Sequence, residues 1–202
     1  VSRNCLEEAL FGEREVGNVH HSLRSVLYNA RKKLRKAGLP EVDYIQQKHD
    51  IFYWTEKIAV EEDTREFEAL CQKAEEMEDS KERLECLIDA CYCYRGDFLP
   101  QQAGVIWAAQ EARRYQGMFF SCVEEAVILL RIQEDWSRMK ELGAYVCHIS
   151  PFADWEVITM EALVSMGWMS EARKLYDDTM ELYMQEQGCR PSKKLMELLD
   201  RL

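Results

Sequence analysis

Glycine and proline are scarce in this sequence, with 9 and 4 copies among 202 residues. Because sandwiches and barrels need frequent turns, so few turn-forming residues argue against a strand-rich fold. Long apolar runs are also missing: the longest mostly apolar stretch, residues 118–130, contains Glu124 and Glu125 and is too short to cross a bilayer. No signal peptide opens the sequence. These absences predict a mainly helical, soluble, cytoplasmic protein without a membrane partner.

Sequence motifs of enzymes and metal centres are absent as well. The sequence contains no GxGxxG, Walker, HExxH or GxSxG motif. Cys147 and His148 are adjacent, so on a helix they would point in different directions and could not form a nucleophile–base pair. Cys86, Cys91 and Cys93 lack the spacing of zinc ligands and have no histidine nearby. We therefore expect no catalytic residue, no cofactor and no metal site.

The sequence has eight cysteines but no CxxC pair. Disulfide frameworks staple small secreted domains, whereas the thiols of cytosolic proteins stay reduced and pack into cores. Most of the cysteines fall in segments of helical periodicity, which favours reduced, packed thiols. These are Cys71, Cys86, Cys91, Cys93, Cys122 and Cys147.

The net charge of -11 conceals a strong asymmetry along the chain. Residues 1–40 sum to +4, whereas residues 41–202 sum to -15. The stretch 18–40 contains six lysines and arginines and no acid. A short basic element on an acidic protein is typical of contact with the nucleic-acid backbone, which the acidic remainder would avoid. The alternative is an ordinary solvated helix face.

Helical periodicity separates two faces within residues 19–37. At about 100° per residue, one stripe is apolar and consists of Leu23, Val26, Leu27, Ala30 and Leu34. The opposite face combines cations with hydroxyl, amide and phenol groups, which can reach base edges and phosphate oxygens. An ordinary solvated helix would include glutamates, so this face favours DNA binding. It consists of His21, Arg24, Ser25, Tyr28, Asn29, Lys32, Arg35 and Lys36.

Shorter elements flank the basic helix. Upstream, Ser2 is placed to cap a helix over residues 3–11, and a polar turn is expected over 13–17. Downstream, Gly38 and Pro40 end the basic helix. The order is therefore helix, turn and basic helix.

Two short strands are predicted next, over residues 44–47 and 51–54, around a polar turn at His49 and Asp50. A basic helix followed by a small hairpin is the outline of a winged helix. The strings VSRNCLEEALFG, NVHHSLRSVLYNARKKLRKAG and YIQQKHDIFYW resemble the second half of an OmpR/PhoB-type winged helix. The resemblance implies that residues 1–60 are the C-terminal part of a winged-helix DNA-binding domain, truncated at its N-terminus.

The recognition helix of that family would span residues 18–37 here. The resemblance implies that base edges face Arg24, Ser25, Tyr28 and Asn29, that phosphates flank Arg31, Lys32 and Arg35, and that His21 can contact either. Arg24 is the first candidate for sequence readout, because a guanidinium can make a bidentate contact with guanine. Two alternatives stay open: Tyr28 could pack against the hairpin, and His20 is better suited to cover the helix start than to contact DNA.

Residues 61–202 predict a second, helical domain. Gly167, Ala172 and Tyr176 form the small-then-aromatic pattern of tetratricopeptide-like hairpins, so we expect a stack of helical hairpins. Arg113 and Arg114 lie among many acids and are expected to form intramolecular ion pairs. The tryptophans at 107, 136, 155 and 168 are expected in the core. The predicted helices span residues 64–78, 80–94, 104–132, 136–148, 152–166, 170–187 and 192–202.

This half carries a second resemblance. The strings YRGDFLPQQAGVIWAAQEARRYQ and SPFADWEVITMEALVSMGWMSEARKLYDDTMELYMQEQGCRPSKKLMELL resemble the bacterial transcriptional activator domain of SARP-type and AfsR-type regulators. The two resemblances together span nearly the whole chain. They imply a mainly α fold: a partial winged helix-turn-helix with a small β-hairpin, followed by a tetratricopeptide-like stack of helical hairpins.

The combined resemblance implies a DNA-binding bacterial transcriptional regulator of the activator type. Its helical domain would mediate self-association and contact with a partner or effector. The implied partners are double-stranded DNA, RNA polymerase and a second copy of the chain in a homodimer, while no effector is identified. The alternative is a protein-interaction scaffold that does not bind DNA and keeps the winged-helix remnant for structure. The two hypotheses differ in whether the outer face of the basic helix is open to a DNA groove.

Overall fold

The computed structural model describes residues 1–12, 17–38 and 40–199, with only the backbone for Leu199. The chain divides into two compact units, Val1–Glu61 and Glu62–Leu202, which we call the basic unit and the helical unit. Most of the turn predicted over residues 13–17 lies outside the described residues. No described helix is both long enough and apolar enough to span a membrane.

The basic unit contains two helices and a hairpin. The elements are α1 (Arg3–Phe11), α2 (Val19–Lys36), β1 (Ile45–Lys48) and β2 (Ile51–Trp54). The strands are antiparallel, and Ile45 pairs with Trp54. Both predicted helices and the second strand are confirmed, whereas the first strand lies one residue later than predicted. Ser2 caps α1 as expected, since its Oγ accepts a hydrogen bond from the amide of Cys5 at 3.3 Å.

A small apolar core joins these elements. Leu23 and Leu27 of α2 are buried against Phe52 of β2. The N-terminal residues extend the hairpin, because Val1 exchanges two backbone hydrogen bonds of 2.7 Å with Phe52. The buried face of α2 therefore packs on the two-stranded hairpin, which the N-terminal residues extend through these backbone hydrogen bonds. Leu6, Phe11 and Ile45 complete this core at its edges.

The described part of the helical unit, residues 62–199, contains seven α-helices and a short 3-10 helix at Pro100–Gln102. With one exception, every described α-helix end lies within two residues of its predicted position. The exception is the start of the fifth α-helix of this unit, which was predicted at residue 152 and lies at Glu156. The predicted end of the last helix at residue 202 lies outside the described residues. The helices are α3 (Asp63–Glu76), α4 (Ser80–Cys93), α5 (Ile106–Ile132), α6 (Trp136–Ile149), α7 (Glu156–Ser165), α8 (Met169–Glu186) and α9 (Lys193–Leu199).

The late start of α7 has a backbone cause. Phe152 and Asp154 both have left-handed φ values, 63° and 59°, so the chain turns here instead of continuing as a helix. Contacts with residues later in the sequence stabilise this turn. The Phe152 ring contacts the Tyr183 ring edge-on, with 5.3 Å between the ring centroids. Asp154 Oδ1 also accepts a hydrogen bond from the Ser192 amide at 3.2 Å.

Successive helices pack against each other around one main core. The fully buried side chains Phe119, Leu130 and Leu142 lie in it, and Tyr94 stacks on Phe119 at 4.4 Å between ring centroids. A smaller core joins α7, α8 and α9 around Met160. Each helix thus buries its apolar face mainly against its neighbours in sequence, as in a stack of helical hairpins.

The α7–α8 pair confirms the tetratricopeptide-like pattern. Gly167 turns the chain with a φ of 75°, and Ala172 is fully buried where the helices approach. Tyr176 packs beside it as the aromatic filler. The tryptophan prediction holds only in part, because Trp107 and Trp168 are 40% and 45% exposed at helix starts.

Ion pairs cross between helices of this unit. Arg114 forms ion pairs with Glu68 of α3 at 2.6 Å and with Glu111 at 2.9 Å, as predicted for this arginine. Arg113, beside it, is exposed. Asp79 caps α4, because its carboxylate accepts hydrogen bonds from the amides of Lys81 and Glu82.

All eight cysteines are free thiols, and Cys71, Cys86, Cys91 and Cys122 are buried. Burial raises the pKa of Cys91 to about 12, so this thiol stays protonated at neutral pH. Among the described residues, no group of three or more histidines, cysteines and carboxylates could hold a metal ion.

Candidate nucleic-acid interface

The fold presents α2 with one face attached and the other free. Asn18 starts the helix, since its Oδ1 accepts a hydrogen bond from the His21 amide at 3.0 Å. Leu23 and Leu27 then fix the inner face on the hairpin. Val26 departs from the predicted apolar stripe and is 38% exposed. At about 100° per residue it lies about 100° from Leu27, at the edge of the apolar stripe.

The predicted DNA-facing side chains lie on the opposite, open face. Tyr28 is 66% exposed, so it does not pack against the hairpin, and that alternative is wrong. The face offers guanidinium, ammonium, hydroxyl and amide groups along one side of an 18-residue helix. Its exposed members are His21, Arg24, Ser25, Tyr28, Asn29, Lys32 and Arg35.

The cations of this face are not neutralised by nearby acids. Neither Arg24 nor Lys32 forms an ion pair within the described part of the chain, and α2 itself contains no acid. Arg35 is the partial exception, because it lines a cleft of about 320 Å³ together with Glu41 and Asp43. The charges of Arg24 and Lys32 therefore remain available to an anionic ligand.

Arg31 is placed differently from the other predicted site residues. Its guanidinium donates two hydrogen bonds to the Ile45 carbonyl, at 3.2 and 2.5 Å, and pairs with Asp43 at 3.3 Å. At about 100° per residue, Arg31 lies only about 40° from the buried Leu27, which turns it towards the hairpin. These bonds favour a positioning role for Arg31, whereas its predicted phosphate contact stays a prediction.

His20 agrees with its predicted role at the helix start. Its Nδ1 lies 2.7 Å from Glu7 Oε1 and ties α2 to α1. This contact directs the imidazole towards α1, whereas the neighbouring His21 remains on the open face.

The tip of the hairpin is polar and partly neutralised. His49 adopts a left-handed φ of 57°, which closes the two-residue turn. Asp50 forms an ion pair with Arg3 at 3.1 Å, and its carbonyl accepts a hydrogen bond from the Arg3 amide. Because Arg3 offsets the Asp50 charge, the tip carries no strong charge of either sign, and the candidate interface is defined on the face of α2 alone.

Lys33 and Lys36 are two further exposed cations of α2 to which the resemblance assigned no contact, although periodicity had already placed Lys36 on the outer face. Both lie in the last turn of α2, where positive charge also stabilises the negative end of the helix dipole. The signal for them was already present in the acid-free run from residue 18 to residue 40. Periodicity places Lys36 on the open face and Lys33 at its edge.

Comparison with known proteins finds a family model that matches the helical unit. The family model "Bacterial transcriptional activator domain" matches residues 62–202. A solved structure, Mycobacterium tuberculosis EmbR in complex with a low affinity phosphopeptide, is similar in fold, with a TM-score of 0.55 and 17% identity. That match covers 100% of this chain and 54% of the EmbR chain, so this chain spans about half of that protein's length. No curated protein matches the chain.

Proposed function

The chain belongs to the bacterial transcriptional activator domain family, and on that premise we propose that it regulates transcription by binding double-stranded DNA through the open face of α2. The supporting observation is the combination of that helix's exposed cations with the absence of acids on it. Phosphates attract such a face whatever the sequence, and the polar side chains between the cations can select bases.

The open face divides into two proposed roles. Arg24, Ser25, Tyr28 and Asn29 would contact base edges, with Arg24 the first candidate for guanine. The phosphate contacts are assigned to Lys32 and Arg35, and His21 can serve either role. Arg31 is assigned to positioning instead, because its guanidinium holds α2 on the hairpin.

The helical unit supplies the proposed partner contacts. We propose that it mediates self-association into a homodimer and contact with RNA polymerase, in the bacterial cytoplasm. A dimer would present two copies of α2 to repeated half-sites about one helical turn of DNA apart.

The test is fluorescence anisotropy of the full chain with mixed-sequence duplex DNA over a series of salt concentrations. Because each phosphate contact contributes about 0.9 to the log–log slope of affinity against salt, Lys32→Ala with Arg35→Ala should lower that slope by about 1.8. Adding Arg24→Ala should then weaken binding further.

A matched control removes the same number of exposed cations from the helical unit, through Lys73→Ala, Lys81→Ala and Arg173→Ala. This control should leave the slope unchanged, because those side chains lie outside the proposed interface. The proposal fails if the unmodified chain shows no binding at low salt, or if the control lowers the slope as much as the α2 variant.

A further inference from the structure

Two buried thiols meet between helices that are distant in sequence. Cys71 on α3 and Cys122 on α5 have their sulfur atoms 3.4 Å apart. A disulfide has an S–S bond of about 2.05 Å, so the present separation exceeds a bond by only about 1.4 Å. The two sulfurs are therefore in contact and are the candidates for a bond between these helices.

The pair is reachable by a small molecule. Both thiols line a cavity of about 190 Å³ that also includes Gly117 and Ser121. Gly117 leaves this side open, since a Cβ at that position would have no neighbour within 4 Å. Cys71 and Cys122 are 8% and 6% exposed, which leaves each a small accessible surface.

The cavity also restricts which oxidants can enter. Glu75 and Glu125 line it, and Glu125 forms an ion pair with Arg83, so the lining charge that disfavours an anion is that of Glu75. The size of the cavity disfavours a bulky disulfide such as glutathione disulfide, whereas a small neutral hydroperoxide can enter.

The remaining cysteines of the main core lack this combination. Cys91 is fully buried and does not line the cavity. Cys86 lies 3.6 Å from the thioether of Met77, which cannot form a disulfide. Cys93 contacts the Asp63 carbonyl. Only one pair among the described thiols therefore joins sulfur contact with access.

We propose that Cys71 and Cys122 form an oxidant-sensitive dithiol site that a small neutral hydroperoxide converts to a disulfide. The Cys71 sulfur attacks one peroxide oxygen, the O–O bond breaks, and the departing alkoxide or hydroxide takes the thiol proton. Cys71 is then a sulfenic acid. The Cys122 sulfur attacks the Cys71 sulfur, the S–S bond forms, and the S–O bond breaks with loss of water. Overall, two thiols are oxidised and one hydroperoxide is reduced to an alcohol, or to water for hydrogen peroxide, plus one water.

The order of attack follows from the contact between the thiols. Hydrogen bonding from Cys122 lowers the pKa of Cys71, whereas the same contact and burial raise the pKa of Cys122. Because the thiolate is the nucleophile, this difference favours Cys71 as the attacking sulfur and Cys122 as the resolving one, and the Cys71→Ser and Cys122→Ser variants test that order.

The direct test needs no mutation. The full chain is treated with hydrogen peroxide, the remaining thiols are blocked under denaturing conditions, and the monomer fraction is digested without reductant for mass spectrometry. We expect a peptide pair linked through Cys71 and Cys122, about 2 Da lighter than its two thiol peptides together. The proposal is overturned if both thiols remain available for blocking, or if oxidation links other cysteines instead.

Variants test the order of attack. With Cys122→Ser, the Cys71 sulfenic acid should accumulate and be trapped by dimedone, whereas Cys71→Ser should give no adduct at Cys122. The matched control is Cys86→Ser, which replaces a buried thiol of the same core and should still form the 71–122 link. Far-ultraviolet circular dichroism checks the fold of each variant, and the unmodified chain decides the matter if a variant does not fold.

Discussion

Arg31 and Lys32 are adjacent cations on α2 for which the structure predicts opposite effects. The Arg31 guanidinium holds the hairpin through the Ile45 carbonyl and Asp43, whereas Lys32 is exposed on the open face. Arg31→Ala should therefore destabilise the basic unit, and Lys32→Ala should weaken DNA binding without affecting stability.

The magnitude follows from the bonds that Arg31 makes. Hydrogen bonds from a charged donor contribute about 1.5–3 kcal/mol, and a largely solvated ion pair contributes about 0–1 kcal/mol. Arg31→Ala should thus lower the free energy of unfolding of the basic unit by about 2 kcal/mol. A unit of about 60 residues has a total of only about 3–9 kcal/mol, so this loss is a large fraction. Exposed substitutions such as Lys32→Ala usually change it by less than about 0.5 kcal/mol.

Hydrogen exchange measured by mass spectrometry separates the two outcomes. In Arg31→Ala, amides of β1 and β2 that exchange through local opening should exchange about 30-fold faster, which is the equivalent of about 2 kcal/mol. Lys32→Ala should leave these rates unchanged and lower the salt slope of DNA binding by about 0.9. Arg31→Lys should loosen the hairpin nearly as much as Arg31→Ala, because an ammonium cannot reproduce the two-bond geometry of the guanidinium.

Two results together would refute the positioning role of Arg31. The hydrogen-exchange rates of Arg31→Ala would equal those of the unmodified chain, and its salt slope of DNA binding would fall as much as that of Lys32→Ala. Those results would place the Arg31 guanidinium at a phosphate, as the winged-helix resemblance implied. An unchanged salt slope of DNA binding in Arg31→Lys fits both the positioning role and the phosphate contact. The hydrogen-exchange rates of that variant then decide between the two.

Two further predictions concern the helical unit, both measured as unfolding in urea followed by circular dichroism. Gly143→Ala should destabilise the helical unit by about 1–3 kcal/mol, because the new Cβ would lie 2.5 Å from Thr159 Oγ1 and 2.9 Å from the Thr159 backbone nitrogen. In the control Gly117→Ala, the new Cβ meets no neighbour within 4 Å, so this variant should be neutral or stabilising. Equal effects of the two substitutions would contradict the packing argument. Burial raises the pKa of Glu156, so the folded state holds the carboxyl proton more tightly than the unfolded state does. The free energy of unfolding should therefore fall as the pH rises through and above the unfolded pKa of about 4.3, and Glu156→Gln should remove this fall. A difference in unfolding free energy between the two proteins that is constant from about pH 4 to pH 8 would refute the prediction.

Local features of the fold could be predicted from the sequence. The ends of α2 follow from Asn18 and Gly38, and its inner face follows from the spacing of Leu23 and Leu27. These are properties of neighbouring residues on one helix, which periodicity and capping describe directly. The same reasoning correctly placed the open face that now forms the candidate site.

Features that depend on distant residues could not be predicted. The role of Arg31 depends on a carbonyl and a carboxylate more than ten residues later, which become its partners only when the hairpin folds back. The contact between Cys71 and Cys122 depends on how α3 packs on α5, although both cysteines were correctly expected in helices. Sequence spacing gives the face of a helix on which a side chain lies but does not identify its partner.

The charges of the two units show why partners matter more than composition. Arginines of the helical unit reach across to carboxylates on other helices, and such exposed pairs contribute only about 0–1 kcal/mol each while they neutralise the surface field. On α2, only Arg31 is engaged in this way among the described cations of that helix. Unpaired cations also occur on the helical unit, so α2 is distinguished by carrying several exposed cations together on a helix that contains no acid. The arginine–glutamate pairs of the helical unit include Arg83–Glu125, Arg114–Glu68, Arg131–Glu161 and Arg138–Glu85.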